Sequence, residues 1–114
     1  MSKDLKLSIS ERVQVAKLFD EMAKSTNLET LSLLLDEMKK VTVLPEEWEA
    51  AKLVKTPNAD GTERWNWTDE GSEKDVTLQD KTVELLKAKI KSKSDSNEFS
   101  LADAAVISLN GKLY

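Results

Sequence analysis

The chain reads as a single α+β domain, mostly helical, with five helices and one β-hairpin. Three observations point there. Helix-start signals of the form Ser/Thr-x-x-Asp/Glu recur ahead of apolar residues spaced by three and four. The strongest run, TNLETLSLLLDEMKKV, puts Leu28, Leu31, Leu34, Leu35, Met38 and Val41 on one side of a helix; Glu29, Asp36, Lys39 and Lys40 point away. Between residues 53 and 68 the period changes, and two short runs flank an Asp60-Gly61 turn.

Taken in order, residues 1–7 carry little pattern and are expected to be a flexible N-terminal segment ahead of one domain at 8–114. Ser8-Ile9-Ser10-Glu11 is a capping box and opens a helix at 8–24. Its apolar arc (Ile9, Val13, Ala16, Phe19, Ala23, widened by Val15, Leu18 and Met22) is broad enough for two neighbours. Thr26 to Glu29 is a second box and starts the leucine helix, 26–40. The short connection makes the two helices packed neighbours. Pro45 suits the first turn of a short helix at 45–52, and Glu46, Glu47 and Glu49 suit its dipole. In the hairpin, Trp65 and Trp67 share one strand face and must dock on the helices or on a partner. Residues 69–75 form a polar loop. Thr77 to Asp80 opens a helix at 78–93, and Ser100 to Asp103 opens the last, at 101–110, with Gly111 closing it in the left-handed region.

Composition narrows the function. There is no cysteine and no histidine among 114 residues, which excludes disulfides, thiolate metal sites and the usual catalytic triads. An enzyme would have to use carboxylates, lysines or hydroxyls. No apolar run approaches the roughly 20 residues of a membrane helix, and MSKDLKLS lacks a signal-peptide core, so the expected location is the cytoplasm. The net charge of −4 is uneven: residues 45–80 hold ten acidic and four basic side chains. That acidic centre repels phosphate and argues against nucleic acid as the partner.

Several constellations have simple structural readings. Asn58-Ala59-Asp60-Gly61 sits where a calcium loop would, but Thr56 and Trp67 fall at the two essential carboxylate positions, so it reads as a turn. Asp69, Glu70, Glu73 and Asp75 match no dedicated metal spacing. Glu46/Glu47 and Asp36/Glu37 read as a dipole partner and an exposed helix face, and no catalytic, metal or cofactor residue is assigned. Lys87, Lys89, Lys91 and Lys93 scatter around their helix. Trp48, Trp65 and Trp67 are the most informative residues. They form either a satellite core or, with one partly exposed, an anchor for a protein partner.

LPEEWEAAKL, ERWNWT and DVTLQDKTVELLKAKIKSKSDSNEFSLADAAVISL follow the two N-terminal helices. This order of parts, over most of residues 8–113, resembles a class of small phage and prophage proteins with no assigned activity. The resemblance implies a helical fold with a small β element and a mobile-element origin, and it carries over no catalytic residue. The expected function is a non-enzymatic protein-interaction module, a phage accessory or host-modulating protein. Its partner-binding residues would be Trp65 and Trp67 with Asp60, Asp69 and Glu70 as the acidic rim. The alternatives are a structural protein self-associating along helix 8–24, and a carboxylate- or metal-dependent enzyme.

Overall fold

The computed structural model describes residues 2–24, 26–69, 71–100 and 103–114. Along the chain run β1 (Ser2–Leu7), α1 (Ile9–Ala23), α2 (Leu28–Val41), α3 (Pro45–Ala50), β2 (Val54–Pro57), β3 (Glu63–Asn66), β4 (Lys74–Gln79), α4 (Asp80–Asp95) and α5 (Ala105–Leu113). The fold is α+β and mostly helical, with two separate two-stranded antiparallel sheets.

The N-terminal segment is the main departure from expectation. Residues 2–7 are not a loose terminus but a strand, paired antiparallel with β4 so that Leu5 faces Val76 and Leu7 faces Lys74. Leu5 and Leu7 alternate with Asp4 and Lys6, and Val76 and Leu78 alternate with Thr77. All four apolar residues are buried on one face. On the other face the Thr77 hydroxyl donates to Asp4 at 2.7 Å. Thr77 to Asp80, read from the sequence as a helix opening, is therefore the end of a strand, and α4 begins at Asp80. Lys3 and Lys112 tie this sheet to α5: Lys3 donates to the Leu113 carbonyl and Lys112 to the Lys6 carbonyl.

The helix at the centre is α1, which packs against α2, α4, α5 and β1. Its Val15, Leu18 and Phe19 meet Leu34 and Val41 of α2, Val83, Leu86 and Ile90 of α4, and Val106, Leu109 and Leu113 of α5. Burying a side chain of this size contributes about 1.5–3 kcal/mol, so this one cluster is the main source of stability.

The other differences are local. The leucine helix is capped by Asn27, whose side chain accepts from the Thr30 amide, rather than by a Thr26 box. Its stripe is also turned: Leu34 and Val41 are buried, but Leu28 and Leu35 face solvent. Glu37, expected on an exposed face, is fully buried instead. The last helix, α5, runs from Ala105; the Leu101 and Ala102 of the expected start lie outside the described residues, and the Asp103 carboxylate accepts from the Ser100 amide. Gly111 lies within α5 and does not close it in a left-handed conformation. Gly61, by contrast, has φ +88°, as the hairpin turn requires.

Candidate functional site

The β2–β3 hairpin stands away from the helical body. Val54 pairs with Asn66 and Lys55 with Trp65, and every residue of both strands is exposed. Two strands alone are marginal in water. The hairpin is held by its Trp face and by its exit loop. Trp48 of α3 meets Trp65 edge-on with ring centroids 5.8 Å apart, and Trp67 at 5.0 Å. Such edge-to-face pairs add about 0.5–1.5 kcal/mol each beyond area burial. The Thr68 amide donates to the Ala51 carbonyl, closing the base.

The exit loop is anchored on the N-terminus of α1, whose first amides have no partner within the helix. The Ile9 amide donates to the Ser72 hydroxyl, the Ser10 amide to Asp69, and the Glu11 amide to the Ser8 hydroxyl. Asp69 also accepts from the Ser10 hydroxyl at 2.6 Å, and the Trp67 ring nitrogen donates to both Ser10 and Asp69. A carboxylate at this end of a helix is favoured by the dipole. One helix end thus fixes the loop, Trp67 and the hairpin together.

A cleft of about 900 Å³ opens between the hairpin and the body. Trp65, Trp67 and Glu63 form one wall; Val13, Gln14 and Lys17 of α1 form part of the other. Trp65 is 44% exposed at its edge, with the Lys55 ammonium 4.5 Å from its ring centre and its own ring nitrogen donating to Glu63. Lys17 is paired with Asp103 at 2.9 Å.

The structure sorts the residues proposed from the sequence. Trp65 is an exposed aromatic at the cleft. Trp67 lines it but is half-buried and hydrogen-bonded to α1, so Trp48 and Trp67 form a satellite cluster and Trp65 is its exposed edge. Asp69 lines the cleft with its oxygens committed to Ser10 and Trp67. Asp60 is at the hairpin tip, where its carboxylate accepts from the Thr62 hydroxyl and amide; these bonds lower its pKa. Glu70 lies outside the described residues. Among the described residues, no three acidic side chains gather as a metal site. Sequence reasoning missed Gln14 and Lys17, because only the docking of the hairpin brings them opposite Trp65.

It also missed the buried charges that brace the site. Arg12 is 1% exposed, and its guanidinium donates to Glu47 of α3 at 2.6 Å and to the Ser72 carbonyl. Glu47 also accepts from the Leu44 amide, so one carboxylate caps α3 and docks it on α1. Burial would raise the Glu47 pKa, but Arg12 and the Leu44 amide outweigh it and hold it below its ordinary value. Glu11 behaves alike: burial is opposed by Lys112 and the Ser8 amide, and the net shift is downward. Lys112 bridges Glu11 and Glu73, each at 2.7 Å. On α4, Lys93 binds Glu21 and Lys87 lies over the Tyr114 ring, so part of the lysine run serves the fold.

Comparison with protein-family models, curated proteins and solved structures gave no match, so the class of protein rests on the fold and the cleft alone. These describe a small α+β domain that presents an aromatic hairpin on a braced helical body.

Proposed function

We propose that the chain is a non-enzymatic protein-interaction module that binds its partner through the β2–β3 hairpin. The observation that carries this is the half-exposed Trp65 on a fully exposed hairpin at the mouth of a large cleft. Tryptophan is enriched at binding hot spots, because it contributes a large apolar area with few rotatable bonds. Trp48 and Trp67 pre-order it, so little conformational freedom is lost on binding. The free strand edges offer main-chain hydrogen bonds to an extended partner segment. The acidic rim is smaller than the sequence suggested, since Asp69 and Glu73 are tied to the helical body; Asp60 and Glu63 are exposed on the hairpin and bonded only within it, to Thr62 and Trp65. Hydrogen bonds and neighbouring cations hold Glu11, Glu21, Glu37, Glu47, Asp60 and Asp103 below their ordinary values, which suits ionised structural partners more than a general acid. Among the described residues, no helix is long and apolar enough to cross a membrane, and a cytoplasmic partner fits this reading. The order of motifs supports a phage accessory or host-modulating role.

Site-specific photo-crosslinking tests the proposal. A crosslinker at Thr56 or Asn66 should capture a discrete partner, and Trp65→Ser should abolish that adduct without changing the circular dichroism. A crosslinker at Glu84 on α4 should capture nothing. Equal labelling from both positions, or no hairpin-dependent adduct, refutes the reading.

A further inference from the structure

The two strands of the hairpin differ at their outer edges. The Asn58 amide donates to the Thr62 carbonyl, and the register sets Thr56 opposite Arg64 and Val54 opposite Asn66. In an antiparallel ladder every second pair exchanges hydrogen bonds. These three pairs carry the ladder. The main chain of Glu63 and Trp65 on β3, and of Lys55 and Pro57 on β2, therefore points outward. The β2 edge is guarded, since Pro57 has no N–H to offer and Lys55 places a charge there. The β3 edge keeps both outward N–H groups and both carbonyls, and no hydrogen bond among the described residues engages them.

That open edge borders the cleft. Of the hairpin, Glu63, Trp65 and the following Trp67 line it, and no residue of β2 does. The facing wall carries the small side chains of Ser10, Ala104, Ala105 and Ser108, which let another main chain approach. A strand takes about 4.8 Å between neighbours, about 10 Å from face to face and about 3.4 Å per residue. The cleft of about 900 Å³ thus holds about five extended residues. Charge selects their side chains, because residues directly opposite across a ladder share a face and interact. Glu63 shares the face of Trp65 and accepts from its neutral ring nitrogen; Arg64 is exposed on the other face. Neither forms an ion pair among the described residues.

We propose that β3 accepts an extended segment of a protein partner as a third, antiparallel strand, with an apolar side chain opposite Trp65, an acidic one opposite Arg64 and a basic one opposite Glu63. This rests on the hairpin being the binding site and adds the edge, the direction and the side chains. Antiparallel addition is the more stable per residue. A second copy of this chain suits the edge less well: pairing Glu63 with Trp65 in both directions would set Arg64 against Arg64.

The probe is the capped pentapeptide Thr-Val-Glu-Lys-Thr, titrated into the full chain and followed by backbone amide NMR. Its valine, glutamate and lysine fall opposite Trp65, Arg64 and Glu63. The Glu63 and Trp65 amides should shift and exchange more slowly, while the Arg64 amide, already bonded to β2, keeps its exchange rate. The swapped peptide Thr-Val-Lys-Glu-Thr should bind about three- to thirtyfold more weakly, since two exposed attractive pairs become repulsive. Glu63→Lys combined with Arg64→Glu should reverse that preference. N-methylation of the valine removes the donor facing Trp65 and should weaken binding about two- to tenfold. No shift at Glu63 and Trp65, or equal binding of the two peptides, overturns the proposal. So does concentration-dependent protection of these amides without peptide, which would make a second copy the occupant. A crosslinked partner that depends on the hairpin but leaves both amides unprotected sinks strand addition alone and keeps the hairpin as the binding site.

Discussion

Replacing Glu37 tests how the core is joined. Its side chain is fully buried between α2 and the start of α4. One oxygen accepts from the Gln79 amide and the Thr82 hydroxyl, each at 2.7 Å; the other faces the Lys40 ammonium at 2.6 Å. Gln79 is the N-cap of α4 and its side chain makes no cap bond. Glu37 therefore does from a different helix what the glutamate of a capping box does from within. Glu37→Ala leaves the amide and hydroxyl without their acceptor and the lysine without its counter-ion. Lys40 is 42% exposed and loses little, so the cost is that of the unsatisfied amide and hydroxyl, about 1–3 kcal/mol each. Glu37→Gln keeps one acceptor oxygen and should cost about 1–3 kcal/mol. Burial opposes the charge, but Lys40, the Gln79 amide and the Thr82 hydroxyl outweigh it, so the folded pKa lies below the ordinary 4.5. A lowered carboxylate stabilises the fold above its unfolded pKa, and that stability is lost as pH falls through the folded pKa. Urea titrations of both proteins at pH 7 and at successively lower pH should show the wild-type advantage over Glu37→Gln shrinking once pH drops below about 4.5. A Glu37→Ala cost under about 1 kcal/mol, or a wild-type–Gln gap that does not change with pH, would refute the reasoning.

Three further outcomes follow from the same structure. Leu7→Ala should destabilise the domain by about 2–5 kcal/mol in urea unfolding, as for any fully buried leucine, whereas an unstructured terminus would show no effect. Arg12→Met should lower the melting temperature and free α3, with Arg12→Lys recovering only part of the loss because one ammonium cannot serve both Glu47 and Ser72; full recovery by lysine would contradict the two-partner geometry. Trp67→Ala should speed amide exchange in β2 and β3 while the α1 and α4 amides stay protected, since the hairpin is fastened through Trp67 to Ser10; uniform loss of protection would place Trp67 in the main core.

Much of this molecule is written locally. The Ser8–Glu11 capping box, Pro45 at the start of α3 and the Asp60-Gly61 turn each act within a few residues, and each is found where local rules put it; Trp65 and Trp67 both meet Trp48, although the strand ends at Asn66. The mostly helical α+β class follows from these signals, as does the neighbouring of α1 and α2. What local rules could not show is what lies across space. β1 and β4 are separated by some seventy residues, and each alone is too short and too polar to announce itself; Thr77 to Asp80 even imitates a helix start. Glu37 and Arg12 look like surface residues in their own helices. They are interior because Gln79, Thr82, Glu47 and Ser72 arrive from elsewhere to satisfy them, and a charge can be buried only where such partners converge. The cleft is of the same kind: Trp65 was legible as an aromatic on a strand face, but its opposition to Gln14 and Lys17 exists only once α1's N-terminus has captured Asp69 and Ser72. Short-range hydrogen bonding and periodicity set the elements; long-range polar satisfaction and shared burial decided which of their faces meet.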